Sequence, residues 1–543
     1  MFYWESDADR VRLRAVLDLA DDDDWRRRLR SALAVYDSAK REEVLTAPEA
    51  QDQPPILVAA LAGLLIRGPQ GEAAQALLQQ AQRRHPDDFW INFQLGYLLQ
   101  EERPREAAGY LRAAVASRPE SSQAQILLGR ALRDAGDPDG AAAAFRAAIR
   151  LNPNRTGARD LARALAPRGR LEEARVAWEK TLEGGPDDHG PWYGYAQLCA
   201  FLGQEEAYRR ARTALLDRFG DSPSHWTIAE RDGLACLLGP ASGEELRRAV
   251  ALVDRAVAAG PKSPHLDNAY LQFVKGLAEY RQGRPAQAVP LLRESAALLP
   301  NRAGPRMALA MAQFQSGSPK EARRTLAAAV CVYNWKAPQA DHVTAWVSHV
   351  LRREAEVLIL PNLPAFLRGE YRPQDNDERL AFLGACQSQG LYAAATRLYA
   401  DAFEADPELA DRLTTECRYR TLREQLLEDD RMEPLETECR YLAARCAALA
   451  GAGLGNDGAT LSAAERTRWR WQARHWLRAD LAQWARSLDS GYEVDHSLAK
   501  KMLTRWRVEP DLAGLFEPNA PEELSADERR DYLALWHEVG VVV

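Results

Sequence analysis

An all-α fold of stacked helix-turn-helix units is what this sequence predicts, and three observations predict it. The first is composition: Ala, Leu, Arg and Glu dominate and β-branched residues are sparse, which favours helix throughout. The second is length: 543 residues exceed one compact core, so the chain needs several domains or an extended repeat array. The third is a recurring phrase: Gly, then Ala five on, a large apolar residue four further, a small one three further, and Pro five beyond that. It is written Gly136, Ala141, Phe145, Ala148, Pro153, and again Gly169, Ala174, Trp178, Thr181, Pro186. It returns as Gly283, Ala288, Leu292, Ser295, Pro300 and as Gly390, Ala395, Tyr399, Ala402, Pro407. Gly317, Ala322, Leu326 and Ala329 carry it without the proline. Leu95, Gly96, Ala107, Leu111, Ala114 and Pro119 carry it with a loop one residue shorter.

Each position has a physical reason. The mid-unit Gly ends helix A, where a left-handed cap suits a residue without Cβ. The Ala sits where helices A and B cross, and the large residue fills the groove between units. The Pro ends helix B, since it lacks an N–H and clashes with the preceding turn. Leu-Gly in helix A, as in Leu95-Gly96 and Leu128-Gly129, admits the partner helix closely. The unit length of about 34 residues and these positions match the tetratricopeptide-repeat (TPR) signature. That resemblance implies a right-handed superhelix whose concave wall is lined by the A helices.

In chain order, residues 1–53 are expected to form an N-terminal helical segment. In it "DDDDWRRRLRSAL" opens a helix whose N-terminus suits the acids Asp21 to Asp24. Residues 54–220 hold about five units, and 221–333 a second, looser TPR-like array. The proline-containing stretch 334–375 is expected to be an extended crossing or loop. Residues 376–450 hold one more unit and inserted helices, with "TECRY" written twice, at 415–419 and 437–441. The last segment, 459–543, is a Trp-rich helical cap with Trp469, Trp471, Trp476, Trp484, Trp506 and Trp536. Trp469, Ala473, Trp476, Leu477, Leu481, Trp484 and Leu488 fall on one stripe of a helix, which makes them a packed face with the interleaved arginines solvated opposite. Pro510 and Gly514 set a turn after it, with Trp506, Leu512, Leu515 and Phe516 packed on that tryptophan helix.

Chemistry is sparse. There is no G-x-x-x-x-G-K-[ST], no H-E-x-x-H and no G-x-S-x-G, and the histidines are scattered. "GAGLGNDG" at 451–458 follows a helix rather than a strand, so it is expected to be a flexible loop and no phosphate cradle. Neither enzyme activity, cofactor nor metal is expected. The net charge of −7 gives no reason to expect nucleic acid or an anionic membrane as partner. Seven cysteines without C-x-x-C spacing fit reduced thiols and a cytoplasmic setting. "MFYWESDADRVRLRAVL" lacks signal-peptide organisation, and the longest apolar stretches are too short to span a bilayer.

Such an array binds. The A helices around Gly129 and Ala162 supply Arg130, Arg133, Arg159 and Arg163. On adjacent helices these share one wall, suited to an acidic or phosphorylated protein or peptide segment. The alternative is that they are solvated or paired with Asp134 and Asp160. Tyr97 and Tyr193 are candidates for apolar contacts on the same wall. The function expected is a non-catalytic protein-binding scaffold; the less favoured alternative is a nucleic-acid-binding helical repeat.

The C-terminal segment carries a second resemblance. Trp506, Pro510, Asp511, Leu512, Ala513, Gly514, Leu515, Pro518, Leu524, Glu528, Arg529, Leu535 and Trp536 resemble the end of large planctomycete-type bacterial serine/threonine kinases, whose kinase domain precedes a long TPR region. "LADDDDWRRRLRSAL", "AQRRHPDDFWINFQLGYLL", "RYLAARCAALAGAGLGND" and "WLRADLAQW" are similar to that region too. The resemblance implies the interaction half of such a kinase. No V-A-I-K, H-R-D or D-F-G stands in this chain, so no catalytic residue carries over. The doubled "TECRY" departs from the family as an insertion of about 22 residues.

Overall fold

The computed structural model describes residues 21, 23–34, 43, 47–65, 71–152, 157–165, 169–221, 225–261, 266–331, 335, 343–405, 439–488, 493–515 and 524–542. The fold is all-α: among the described residues there are twenty-five α-helices, three short 3-10 turns and no strand. Pro153, Pro407, Phe516, Pro518 and the first TECRY copy lie outside them. The chain divides into two compact units, one ending at Leu202 and one beginning at Gly203.

The N-terminal unit runs through α1 (Asp24–Ala34), α2 (Pro55–Leu65), α3 (Gly71–Arg84), α4 (Phe89–Leu99), α5 (Pro104–Ser117), α6 (Ser122–Asp134), α7 (Pro138–Leu151), α8 (Gly157–Leu165), α9 (Leu171–Glu183) and α10 (His189–Leu202). The acidic run caps α1: Asp23 Oδ1 accepts from Arg26 N at 2.7 Å. Arg30 holds Asp21 at 2.8 Å. Trp25 and Leu29 then join Val58, Leu61, Leu77 and Leu78 in one core. From α2 onward the helices pair as A and B: α2 with α3, α4 with α5, α6 with α7, α8 with α9.

The repeated phrase has the geometry its residues demand. Gly136 closes α6 at φ +85°, and its counterparts Gly169, Gly283, Gly317 and Gly390 share that left-handed state. Ala141, Ala174, Ala288, Ala322 and Ala395 are fully buried. A Cβ on Gly129 would lie 2.5 Å from the Phe145 ring, so the glycine is what lets α7 approach α6. Phe145 therefore closes the junction within its own unit, where the sequence pattern puts it between units. Successive units are also tied by ion pairs about one repeat apart, Arg146–Glu173 at 2.5 Å and Arg170–Asp139 at 2.7 Å. Such exposed pairs add little stability each, about 0–1 kcal/mol, but they fit only one register.

The C-terminal unit comprises α11 (Glu205–Phe219), α12 (Trp226–Leu237), α13 (Gly243–Ala259), α14 (Leu266–Arg281), α15 (Pro285–Leu298), α16 (Ala303–Gln315), α17 (Pro319–Cys331), α18 (Val343–Ile359), α19 (Leu363–Leu367), α20 (Asn376–Ser388), α21 (Tyr392–Ala405), α22 (Cys439–Gly451), α23 (Ala463–Leu488), α24 (Glu493–Val508) and α25 (Ala526–Val542). Here α14 with α15, α16 with α17 and α20 with α21 repeat the A/B pairing, and α17 packs directly onto α20. The expected crossing or loop over 334–375 is corrected: it contains α18, 17 residues long, laid on α16, and the short α19. Two of its prolines stand at helix ends and do not prevent the helices. Pro361 lies just past α18, and Pro364 occupies the first turn of α19, where a missing N–H costs nothing.

Two further expectations are corrected at the C-terminal end, and one contact is added. Residues 451–458 are docked against the α20–α21 turn. Asn456 N donates to Gly390 O at 2.8 Å. The Asp457 carboxylate accepts from Ala393 N and Ala394 N, 3.2 and 2.9 Å, at the start of α21. Trp506 is stacked on Tyr441 of α22 (5.7 Å, 5° between planes), a partner the sequence did not suggest, while its helix α24 packs on the tryptophan helix α23. The reason is complementarity: Tyr441 and Arg445, one turn apart, hold Glu509 at 3.2 Å and Asp511 at 2.5 Å. The interleaved arginines are not all solvated, since Arg470 and Arg474 are 3% and 6% exposed. Arg470 pairs with Glu528 at 3.0 Å and Arg474 with Asp531 at 3.3 Å, both on α25. Burial pushes the Glu528 carboxyl up, but Arg470 and the Ser525 donors outweigh it and hold it below the usual range. The stripe Trp469, Ala473, Trp476, Leu477, Leu481 and Trp484 is buried as its spacing predicts.

Candidate functional site

Each A helix has a small residue at its crossing point: Ala62 in α2, Gly96 in α4, Gly129 in α6, Ala162 in α8, Gly276 in α14, Ala310 in α16. Residues six and three before it and one after it share a second face, about a quarter-turn round the helix from it, since 3.6 residues make a turn. In the N-terminal unit α2, α4, α6, α8 and α10 are neighbours in that order, so these positions form one wall.

On α4 the three positions are Trp90, Phe93 and Tyr97. Trp90 and Phe93 are half-buried and Tyr97 is 53% exposed. Phe89 stacks on Phe93 at 5.6 Å, and Arg118 lies over the Phe89 and Trp90 rings at 4.5 and 5.2 Å, fixing the aromatics in place. On α2, Ile56 occupies the first position and is 59% exposed. Ile56, Trp90 and Phe93 were not singled out from sequence, although the spacing of 90, 93 and 97 is the signal that marks them.

The predicted cations lie on the next two helices. Arg130 and Arg133 are on α6, Arg159 and Arg163 on α8, and the two helices touch. Arg130 holds Asp160 by two bonds, 2.7 and 2.8 Å, and the Asp160 side chain is 1% exposed. Arg133 clasps Asp134 at 2.8 and 3.2 Å. The pairing alternative is therefore realised for both. Arg159 is half-buried, with a buried Nε that has no hydrogen-bond partner, and Arg163 is half-buried one turn on. Tyr193 is on α10, half-buried and stacked on His189 at 5.3 Å.

The same wall in the C-terminal unit is filled. On α16 the three positions are Gly304, Met307 and Met311, all buried. A Cβ on Gly304 would lie 3.7 Å from Val347 of α18. At the end of α14, Arg281 clasps both carboxylate oxygens of Glu354 from α18 and donates to Leu237 O and Leu238 O at 2.8 Å each. On the other side of α18, Arg352 donates to Ser388 at 2.6 Å and stacks over Trp335 at 4.8 Å. Burial, with Arg352 and Arg353 adding to it, depresses the His349 imidazole to about 4, so this helix is packed with a neutral histidine.

No helix among the described residues is long and apolar enough to cross a membrane. No curated protein matches the chain. Among solved structures it is similar to "Crystal structure of APC/C hetero-tetramer Cut9-Hcn1", with 13% identity, 58% of each chain covered and a TM-score of 0.31. It is also similar to "Human IFIT1 dimer with PPP-AAAA", with 13% identity, 81% of this chain and 95% of that one covered, and a TM-score of 0.31. The chain thus spans 58% of the first of these. One tetratricopeptide-repeat model matches residues 97–156 and 126–190 and a second matches 279–330, so the chain carries tetratricopeptide repeats in both of its units.

Proposed function

We propose that this protein is a non-catalytic scaffold that holds a protein or peptide segment against the A-helix wall of α2, α4, α6 and α8. The observation that carries this is exposure: wall positions that are covered at Gly304 and Met311 stand open at Ile56 and Tyr97. Large apolar side chains held out on a rigid helix surface suit a binding face. An acidic or phosphorylated segment fits the arginines of α6 and α8, Arg130, Arg133, Arg159 and Arg163. Arg130 and Arg133 already hold Asp160 and Asp134. That alternation of Arg with Asp speaks for a peptide rather than nucleic acid, which favours an unbroken basic strip.

A photo-cross-linking residue placed at Tyr97 tests the proposal, with one on the opposite face at Gly109 as control. Adducts at position 97 and none at 109 are expected in cells expressing the full chain. Equal labelling at the two positions would overturn the wall as the binding face. The resemblance of residues 506–536 to the C-terminal region of bacterial serine/threonine kinases supports one finer reading, that the scaffold is the interaction half of such an enzyme. An in-frame kinase domain in the DNA upstream of Met1, or a stop codon there, decides it.

A further inference from the structure

The two walls share a register, and one of them already shows an occupant. Trp90, Phe93 and Tyr97 stand six before, three before and one after Gly96. Gly304, Met307 and Met311 stand at the same offsets from Ala310. Over the second set lies α18, a helix with a buried apolar face of Trp346, Val347, Leu351 and Ala355. Of its two carboxylates, Glu354 and Glu356, Glu354 is gripped by an arginine at the end of the neighbouring A helix. Val347 meets α16 and Glu354 meets α14. Seven residues of helix span roughly 10 Å, about the distance between adjacent packed helices. The wall therefore holds a helix that crosses from one A helix to the next, apolar residue first and acid about two turns later.

The N-terminal wall offers the same pair of features one helix apart. Its apolar part is Ile56, Trp90, Phe93 and Tyr97 on α2 and α4; its arginines follow on α6 and α8. We infer that this wall binds an amphipathic α-helix of a partner protein, with an apolar stripe on α4 and an Asp or Glu about two turns away on the arginines of α6 and α8. The inference rests on the wall being the binding face and adds the conformation and chemistry of what it takes. A helix suits the surface because its side chains are spaced to meet a row of parallel helices, as those of α18 do.

Two displayed peptide libraries, panned against the full chain, test this. One is built on an Ala-rich 18-residue helix randomised along one face. The other is unstructured, with proline at regular intervals. The inference expects binders from the helical library, enriched in an apolar stripe with an acid about seven residues on. They should weaken about tenfold or more against Tyr97→Ala, as an anchor contact does, and several-fold against Arg163→Gln. Tyr97 is exposed, so this variant keeps the wild-type melting temperature and the loss reads binding, not folding. Binders from the proline library alone, still sensitive to Tyr97→Ala, would overturn the helix while leaving the wall intact. Binders indifferent to both substitutions, or none from either library, would remove the wall itself. A dimer of the full chain that Tyr97→Ala dissociates would name a second copy as the occupant and overturn the partner helix.

Discussion

The wall of α2, α4, α6 and α8 and the wall of α14 and α16 are built from one repeat, but they meet their surroundings differently. On α4 of the first, the outward positions are Trp90, Phe93 and Tyr97, large residues that are half-buried or exposed. On α16 of the second they are Gly304, Met307 and Met311, a small residue and two flexible ones, closed over by α18. Backbone geometry is common to both, because it depends on the glycine and alanine positions inside each hairpin. What the wall does depends on three side chains per helix that the hairpin itself does not need. Fold and use are encoded at different positions of the same unit.

The largest effect that breaks this comparison is removal of the α18 anchor. Trp346→Ala deletes a side chain that is 1% exposed and is expected to cost about 3–5 kcal/mol. Deuterium exchange should then rise in α18 and α16 and stay unchanged in α4 and α6, since repeats feel mainly their neighbours. Protection lost equally in α4 would show that the walls are not independent. Next comes the arginine pair on α6. Arg130→Ala leaves the buried Asp160 carboxylate uncompensated and should cost about 3 kcal/mol, whereas Arg133→Ala, which frees only the exposed Asp134, should cost about 0–1 kcal/mol. Chemical denaturation of the two variants measures the difference; equal losses would deny Arg130 its structural role.

A pH effect sharpens the contrast within the C-terminal unit. Burial pushes the Glu230 carboxyl on α12 up from 4.5 to about 7; Arg231 opposes the shift and Asp232 adds to it. A raised folded value means that the neutral acid is the form the fold accepts. Its contribution is complete below the unfolded value and is lost as pH rises from about 4.5 through about 7. Melting at about pH 5 and about pH 8 should differ more for the wild type than for Glu230→Gln. An identical pH profile would show that Glu230 is not the group responsible. The smallest expected effect is on stability in Tyr97→Ala, within about 0.5 kcal/mol, and a larger loss in calorimetry would mean that Tyr97 supports the fold.

The repeat was legible because its constraints are local. Gly136 must take a left-handed φ, and Gly129 must leave room for Phe145, whatever the rest of the chain does. Arg130 and Asp160 were visible as possible partners because their spacing of 30 residues is about one repeat. The seating of α18 on α16 was not visible, since Val347 and Gly304 carry no mark of each other. The link from Tyr441 and Arg445 to Glu509 and Asp511 was hidden for the same reason: both motifs stood out in the sequence, but nothing in either shows that they touch. Trp90 and Phe93 were overlooked although Leu95-Gly96 fixes their register, because an aromatic on a repeat helix is written the same way whether it lies in the core or at its edge.

The bonds of Asp457 to α21 and of Arg445 to Asp511 have a consequence for how the chain folds. They join residues 63 and 66 positions apart, while the ties of the N-terminal array span about 30, as between Arg130 and Asp160. Closing a longer loop costs more entropy before any contact rewards it. During synthesis each N-terminal hairpin is able to settle as soon as its successor emerges. Helix α22 must wait, with Tyr441 and Arg445 unmet, until Glu509 and Asp511 have left the ribosome. The C-terminal end is therefore the last part to fold and the part whose apolar surface stands longest without cover.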